Sequence, residues 1–316
     1  MYKKTCAVVI QLFQWNEMVD ECLRSLAKQT LPPLEIIIMH RCDGESLAVL
    51  EDKTSPYANI RLMRERDISL ADALNQGIEA TRADLIARMD VDDVAMPDRL
   101  AVQVGFMEEH PDIAVCGSAF HVYETNESIR PPQENDAIRA RLLFASPFCH
   151  PSVIMRKDAV LAAGGYDVTC TQVEDYDLWL RMAAAGMRLA NLPRHLVRYR
   201  VHPDKDRSAV FRARREAANT LRENFYMRYW GRPLPLPRFL ADPAQMRLRD
   251  IPSGWKWLLA VRRANAVKPF VPPAVLDKEL AAQAVQCVKE YIKARKRLSG
   301  FCRWYRTVRN YVHSFR

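Results

Sequence analysis

Three aspartates lie within four positions of the chain, in the run Asp90-Val91-Asp92-Asp93. Carboxylates this close repel one another unless a cation lies among them, and oxygen ligands suit hard divalent ions such as Mg²⁺ or Mn²⁺. Such an ion can bridge to phosphate oxygens and stabilise a departing diphosphate. The alternative is a solvated acidic loop that caps a helix beginning near Pro97. The run therefore predicts either a metal-assisted phosphate site or a helix cap.

A second acidic group lies in the segment Glu174-Asp175-Tyr176-Asp177. A carboxylate there can act as a general base toward a hydroxyl. Acidic residues also favour helix N-termini, through capping and the helix dipole, which accounts for one or two of the three carboxylates. Two histidines, His150 and His202, are each isolated in the sequence. A lone histidine is more often a surface or packing residue than a ligand.

Short apolar runs that alternate with helical patterns would position these groups. Strands are predicted over residues 7–10, 34–39, 59–63, 84–89 and 113–115, and helices over 17–29 and 69–81. This alternation predicts parallel pairing and a doubly wound α/β sheet, in which ligands bind beyond the carboxyl ends of the strands. Because the acidic run directly follows the strand at 84–89, its place in the chain favours the metal site.

Near residue 205 the predicted structure changes from alternating strands and helices to mainly helical, basic sequence. Before that point we expect a surface excursion over 119–135, helices at 136–145, 157–163 and 175–185, and a strand at 196–201. After it come a basic helical segment at 206–230, a Pro-rich linker at about 231–237 and an amphipathic helix at 274–298. The predicted domains are therefore 1–205 and a mainly helical, basic region, 206–316.

Composition narrows the class of protein. The chain has 316 residues, of which 49% are hydrophobic and 27% charged, so a sizeable core is expected. The net charge of +9 indicates an anionic partner. The eight cysteines form no CxxC pair, so reduced thiols are expected rather than a zinc site. No apolar stretch is long enough to span a bilayer, and we expect a soluble, cytoplasmic protein that is peripheral on the inner face of the cell membrane.

Taken together, these segments resemble glycosyltransferase family 2, the inverting enzymes of the GT-A fold, over about residues 5–206. The most specific piece is Ile86-Ala87-Arg88-Met89-Asp90-Val91-Asp92-Asp93. The other matching pieces occur along the chain in the same order as in the family. They are Glu21–Leu26, Glu35–Ile38 and Ala73–Ile78 before this piece, and His150–Val153, Gly164–Asp167, Glu174–Trp179 and Tyr199–Pro203 after it. The resemblance implies a GT-A architecture, which is a Rossmann-like, mostly parallel twisted sheet flanked by helices, here with a C-terminal helical extension.

The resemblance also implies a role for each matching position. Asp92 would ligate Mn²⁺ or Mg²⁺, and His202 would complete the metal site. Asp175 would be the general base that deprotonates the acceptor hydroxyl, and Glu174 would bind the acceptor or orient that base. The nucleotide-sugar side would comprise Phe13, His40, Arg41, Asn75, Asp90 and Asp93. The acceptor side would comprise His150, Gly165, Tyr166 and Trp179.

Two departures from the family pattern concern the nucleotide base. The usual Pro-Thr-Tyr-Asn-like turn after the first strand is here Gln11-Leu12-Phe13-Gln14, and the paired aspartates after the second strand are replaced by His40-Arg41. An aspartate accepts the imide proton of uracil, whereas His and Arg offer donors. A UDP-sugar is the expected donor, and Asp43 would supply the missing acceptor if the loop shifted by a few residues.

The C-terminal segment 287–316 contains nine Lys or Arg residues and one acidic residue, Glu290, and is interleaved with the aromatic residues Phe301, Trp304, Tyr305, Tyr311 and Phe315. This composition suits an anionic lipid surface, and equally a solvated helical appendage, a dimer contact or, less well, nucleic acid. Liposome flotation of a chain truncated near residue 286 distinguishes these alternatives.

The leading hypothesis is an inverting glycosyltransferase of bacterial-type surface polysaccharide, lipopolysaccharide or glycan biosynthesis, with a glycan or lipid-linked acceptor. A nucleotidyltransferase would carry a Gly-rich, Lys/Arg-bearing phosphate loop after the first strand, and residues 11–17 contain none of these types. A degenerate nucleotide- or glycan-binding module is the third alternative. The replacement at His40-Arg41 supports it, and the set Asp92, Asp175 and His202 opposes it.

Overall fold

The computed structural model describes residues 3–65, 69–201, 207–234 and 251–294. Within them, one mixed sheet has the strand order β3-β2-β1-β4-β8-β6-β9-β5, with β7 paired to β6. The strands are β1 (Cys6–Leu12), β2 (Glu35–His40), β3 (Ile60–Arg64), β4 (Leu85–Arg88), β5 (Val94–Ala95), β6 (Ile113–Val122), β7 (Ser128–Ile129), β8 (Ile154–Arg156) and β9 (Arg188–Tyr199).

Helices flank this sheet or follow it in the chain. They are α1 (Glu17–Ala27), α2 (Gly44–Thr54), α3 (Leu70–Ala80), α4 (Arg99–Glu109), α5 (Asn135–Leu142), α6 (Lys157–Ala162), α7 (Glu174–Ala184), α8 (Arg207–Trp230), α9 (Ile251–Val267) and α10 (Pro273–Ala294). A single 3₁₀ turn covers His150–Ser152. The mixed α/β architecture confirms the predicted GT-A fold class and the C-terminal helices.

The four parallel strands β1 to β4 form the predicted doubly wound half of the sheet. Val9 pairs with Ile37 on one side and with Arg88 on the other, so all four strands end at one edge. Alternate side chains bury opposite faces: Ile10 lies in the core cluster that contains Leu23 of α1, whereas Ile37 lies in the cluster that contains Ala73 of α3. The acidic run therefore begins where a fully buried strand reaches this edge.

The other half of the sheet differs from the expectation in two ways. The strand predicted at 113–115 continues to Val122, into the predicted surface excursion, because it pairs along its length with β9. Between β4 and β6 lies β8, which is antiparallel to both. A strand of three residues is too short to show a period, and β9 carries Asn191 and Pro193, so the sequence pattern indicated only its last residues.

The chain divides into two compact units, one formed by residues 1–138 and 145–207 and the other by residues 139–144 and 208–316. In the second unit, the Asn265 side chain closes the turn between α9 and α10, since it accepts from the Phe270 N–H at 2.8 Å and donates to the Val271 carbonyl at 2.8 Å. None of the described helices combines the length and apolar composition needed to cross a bilayer. The six cysteines whose side chains are described are free thiols.

Candidate active site

The acidic run forms a turn just beyond β4, in which the Asp93 N–H donates to the Asp90 carbonyl at 3.4 Å. This turn brings carboxylate oxygens of Asp90, Asp92 and Asp93 within 4.8 Å of one another. The helix-cap alternative does not apply, because the residue that precedes α4 in the capping position is Asp98. The three carboxylates therefore converge on one another rather than on a helix end.

Asp93 is the buried member of the run, with no exposed surface. Its Oδ1 accepts the Arg200 main-chain N–H at 2.7 Å, whereas its Oδ2 is buried without a hydrogen-bond partner among the described residues. Burial and the neighbouring Asp90 and Asp92 raise the pKa of Asp93 to about 8, although the bond from Arg200 opposes the rise. A buried carboxylate oxygen without a partner is costly unless a cation, a proton or water satisfies it.

This donor set fits a hard divalent cation. Clustered carboxylate oxygens, one of them buried and unsatisfied, are the ligands that Mg²⁺ and Mn²⁺ prefer. Asp92 is half-buried at the tip of the turn, where it can offer a carboxylate oxygen. His202, the second predicted ligand, lies outside the described residues, so its role stays a prediction.

Arg88 is a buried cation on the same strand edge, and the sequence pattern assigned it no role. Its Nη2 lies 2.5 Å from Asp90 Oδ1, and its Nε and Nη1 have no hydrogen-bond partner within the described part of the chain. The buried Arg99 side chain donates to the Arg88 carbonyl at 2.8 Å, and this bond fixes the main chain at the end of β4. A charged side chain in an otherwise apolar strand was the signal available in the sequence.

The second acidic group occupies the first turn of α7. The residue before the helix, Val173, makes no side-chain cap bond, and Glu174, Asp175 and Asp177 are all buried. Asp177 is paired with Arg181 at 2.7 Å, and Arg181 also donates to the carbonyls of Gly165, at 2.7 Å, and Ala163. Asp177 therefore has a structural role, which leaves Glu174 and Asp175 as the candidates for acid–base chemistry.

Tyr166 is a buried residue that directly follows the turn at Gly164 and Gly165. Burial raises the pKa of its hydroxyl well above the ordinary value; Arg88 opposes that rise, and the charges of Asp175, Glu174 and Asp90 add to it. The hydroxyl is 2.8 Å from His150 Nε2. The hydroxyl of Tyr166 is thereby linked to His150, another predicted acceptor-side residue.

The remaining acceptor-side predictions surround Tyr166. Asn75 accepts from the Tyr166 N–H and donates to its carbonyl, each at 2.8 Å, so it holds the turn that contains Gly165. The His150 ring lies against the rings of Tyr166 and Trp179, with centroids 5.6 and 6.2 Å apart. Trp179 is fully buried, and its Nε1 has no partner among the described residues. Asn75, predicted for the donor side, thus contacts the acceptor-side turn.

The predicted base-binding residues lie at the ends of β1 and β2. Phe13 is 58% exposed, and the Arg41 guanidinium carbon lies 4.9 Å from its ring centroid. Arg41 Nε donates to the buried Glu65 at 2.7 Å, and Gln11 donates to the same carboxylate at 2.8 Å. His40 is buried, and its burial, together with the nearby positive charge of Arg64, lowers the pKa of its imidazole. Glu65, which directly follows β3, was not predicted, because it meets Arg41 and Gln11 only when β3 pairs with β2.

Comparison with known proteins identifies the class. The family model described as glycosyl transferase family 2 matches residues 7–164. The amylovoran biosynthesis glycosyltransferase AmsE of Erwinia amylovora is 34% identical over 207 residues, which cover 63% of this chain and 77% of AmsE. The UDP-Gal:alpha-D-GlcNAc-diphosphoundecaprenol beta-1,3-galactosyltransferase of Escherichia coli is 31% identical over 187 residues, which cover 57% of this chain and 67% of that enzyme.

A solved structure shares the fold. The mannosyltransferase PcManGT from Pyrobaculum calidifontis, in complex with GDP-Man and Mn²⁺, aligns with a TM-score of 0.59 and 17% identity over 100% of this chain and 86% of that one. Fold, family model and relatives together define a glycosyltransferase enzyme with the GT-A architecture. The chain belongs to glycosyl transferase family 2.

Proposed function

We propose that this chain is an inverting, metal-dependent glycosyltransferase that moves a sugar from a nucleoside-diphosphate sugar to a hydroxyl of a glycan or lipid-linked acceptor. The observation that carries the proposal is the turn of three carboxylates within 4.8 Å at the end of β4, with Asp93 Oδ2 buried and unsatisfied among the described residues. Family membership disfavours nucleotidyl transfer. A degenerate binding module remains the alternative that the tests below exclude or support.

On the donor side, Asp92 and the predicted ligand His202 would hold Mn²⁺ or Mg²⁺, which supplies positive charge against the leaving nucleoside diphosphate. Asp90, fixed by its ion pair with Arg88, would lie against the ribose or diphosphate. Asp93 would support the turn or touch the sugar. Phe13 offers an exposed ring beside Arg41 for the base.

On the acceptor side, Asp175 would take the proton of the attacking hydroxyl. The oxygen of that hydroxyl would bond to the anomeric carbon while the bond from this carbon to the nucleoside diphosphate breaks. A single displacement of this kind inverts that carbon. Glu174 would bind the acceptor or orient Asp175. The assignment of the base to Asp175 rests on its matching position in the family pattern and on its place in the buried first turn of α7. His150, Gly165, Tyr166 and Trp179 would line the acceptor side.

The donor and acceptor classes are proposed from the relatives. A UDP-sugar remains the proposed donor, because the E. coli relative is named for UDP-Gal, although the structural neighbour is in complex with GDP-Man. The same relative is named for a diphosphoundecaprenol-linked acceptor, and AmsE for amylovoran biosynthesis. These names support surface polysaccharide or O-antigen-type synthesis. Docking of the basic tail on an anionic membrane stays a proposal, since residues 295–316 lie outside the described residues.

A thermal-shift panel of UDP, GDP and other nucleoside diphosphates, with and without Mn²⁺, tests this function. A ligand that binds only the folded state at about 100 times its Kd stabilises it by about 2.7 kcal/mol, so at least one diphosphate should raise the melting temperature in the presence of Mn²⁺. Asp92→Asn should abolish the Mn²⁺-dependent part of the shift.

Asp167→Asn is the matched control, because Asp167 belongs to another group of potential ligands, with Cys170 and Asp177, whose ligand atoms also lie within 4.8 Å of one another. That variant should keep the full shift. If no nucleoside diphosphate stabilises the protein, the donor assignment is wrong. If Asp92→Asn retains the Mn²⁺ effect and Asp167→Asn loses it, the cation site is misplaced.

A further inference from the structure

The pairing of β5 with β9 places Arg200 beside the acidic turn. Val94 pairs with Arg198 and Ala95 with Val197 in an antiparallel ladder, so two residues further along Arg200 falls opposite Asp92. The contacts agree with this register. Arg200 Nε donates to the Asp92 carbonyl at 2.9 Å, and the Arg200 main-chain N–H donates to Asp93 Oδ1 at 2.7 Å. A single residue thus holds both the main chain of Asp92 and the carboxylate of Asp93.

The far side of the Arg200 guanidinium is fixed as well. Its Nη2 forms an ion pair with Glu21 Oε2 at 2.7 Å, and its central carbon lies 3.7 Å from the centroid of the Tyr123 ring. The Tyr123 hydroxyl donates to the same Glu21 carboxylate at 3.0 Å. A planar, multidentate guanidinium can meet all these partners at once, and an ammonium cannot. The turn is thereby tied to α1 and to the chain just after β6.

From this arrangement we infer that Arg200 is a positioning residue that pre-organises the cation-binding turn, an inference that rests on the proposed function. Ionised carboxylates within 4.8 Å repel one another, so a restraint on the main chain of the turn helps to keep these side chains together when no cation is bound. Arg200 holds the Asp92 main chain through its bond to the Asp92 carbonyl, so the direction of the side chain that leaves this main chain is restrained.

Arg198 provides a matched control. Its guanidinium carbon lies 4.5 Å from the centroid of the same Tyr123 ring, but its Nε has no partner among the described residues. Arg198→Met and Arg200→Met therefore each remove one cation stacked on one ring. Only the second removes a side-chain hydrogen bond to the acidic turn, while the bond from the main-chain N–H of residue 200 to Asp93 remains.

The test is the Mn²⁺ affinity of the full chain, measured by electron paramagnetic resonance without nucleotide, beside the melting temperature of each variant. Loss of a group that orients a metal ligand weakens metal binding about 10–100-fold, so Arg200→Met should show a loss of that size and Arg198→Met a change below about twofold. Arg200→Lys should not restore affinity. A second variant, Glu21→Gln, breaks the ion pair at a side chain that is 43% exposed and should weaken Mn²⁺ binding by several-fold.

Equal Mn²⁺ affinity in Arg200→Met and Arg198→Met would overturn the inference. If Arg200→Met does not fold, Glu21→Gln decides, and an unchanged affinity in that variant would overturn it too. If the unmodified chain itself binds no Mn²⁺, the metal dependence in the proposed function fails and the inference fails with it.

Discussion

At the scale of the residue, Gly165 is constrained by both its backbone and its surroundings. Its φ of +69° lies in the left-handed region, and a Cβ at this position would lie 2.6 Å from Asn75 Oδ1. That oxygen accepts from the Tyr166 N–H, so the close approach is what allows Asn75 to hold the turn before Tyr166. Gly164 has a φ of +83° but open space around its missing Cβ.

These two glycines give a matched pair of variants. Gly164→Ala should lose about 1–2 kcal/mol of unfolding free energy from left-handed strain. Gly165→Ala should lose that amount and about 1–3 kcal/mol more, because Asn75 must move and the hydrogen bonds to Tyr166 weaken. Urea denaturation of both variants measures the difference. Equal losses would show that the Asn75 contact contributes nothing to stability.

Residue types alone indicated much of the site, but not its supports. The clustered carboxylates at 90–93 and 174–177 were visible in the sequence as candidates, whereas Arg200 and Glu65 acquire their contacts only through pairing with distant segments. His40 illustrates the opposite case. Its position after a strand suggested the donor base, but its side chain is buried, a property that depends on what packs over the strand end.

At the scale of the element, α7 is anchored by Arg181. This side chain pairs with Asp177, which is buried, and donates to carbonyls of the turn at Ala163 and Gly165. The helix that carries Asp175 and Glu174 is thus tied to the turn that carries Tyr166.

Arg181→Met should lower the unfolding free energy by about 3–5 kcal/mol, because it leaves the Asp177 carboxylate buried without its cation. Chemical denaturation measures the loss. Arg188→Met is the control: it breaks an ion pair with Asp112 in which both side chains are about half exposed, and such pairs contribute about 0–1 kcal/mol. If the two variants lose similar amounts, the contacts of Arg181 do not anchor the helix.

Helices and strands whose apolar residues recur at a regular spacing were predictable from the sequence, and those without such spacing were not. Helix α1 has a clear N-cap and an apolar face. The Asn16 side chain accepts from the Met18 and Val19 N–H groups, and Leu23 and Leu26 are buried. Helix α2 buries only Leu50 and Thr54, so its pattern is weak and it was missed. The three residues of β8 lie between β4 and β6 and are antiparallel to both. This position depends on pairing with distant strands and not on the β-propensity of the three residues.

At the scale of the molecule, the sheet unites segments that are far apart in sequence. The parallel half ends at the acidic run, and the 3₁₀ turn at His150–Ser152, the glycine turn and α7 follow in chain order. The order of these pieces was visible in the sequence and supported the family assignment. The contacts of His150 with Tyr166 and Trp179, and of Arg181 with Gly165, join the last three of these pieces; they depend on tertiary packing, which pattern alone does not describe.

The central claim is that the acidic run holds the donor and Asp175 deprotonates the acceptor. The test measures the rate at which nucleoside diphosphate is released from a nucleotide sugar when water is the acceptor. The nucleotide sugar is the one whose nucleoside diphosphate gives the largest thermal shift. Removing a general base costs about 10²–10⁴-fold in rate. Asp175→Asn should lose activity by that factor and keep the Mn²⁺-dependent thermal shift, while Asp167→Asn should keep both. Activity within tenfold of the unmodified chain, or loss of the thermal shift in Asp175→Asn, would contradict the account.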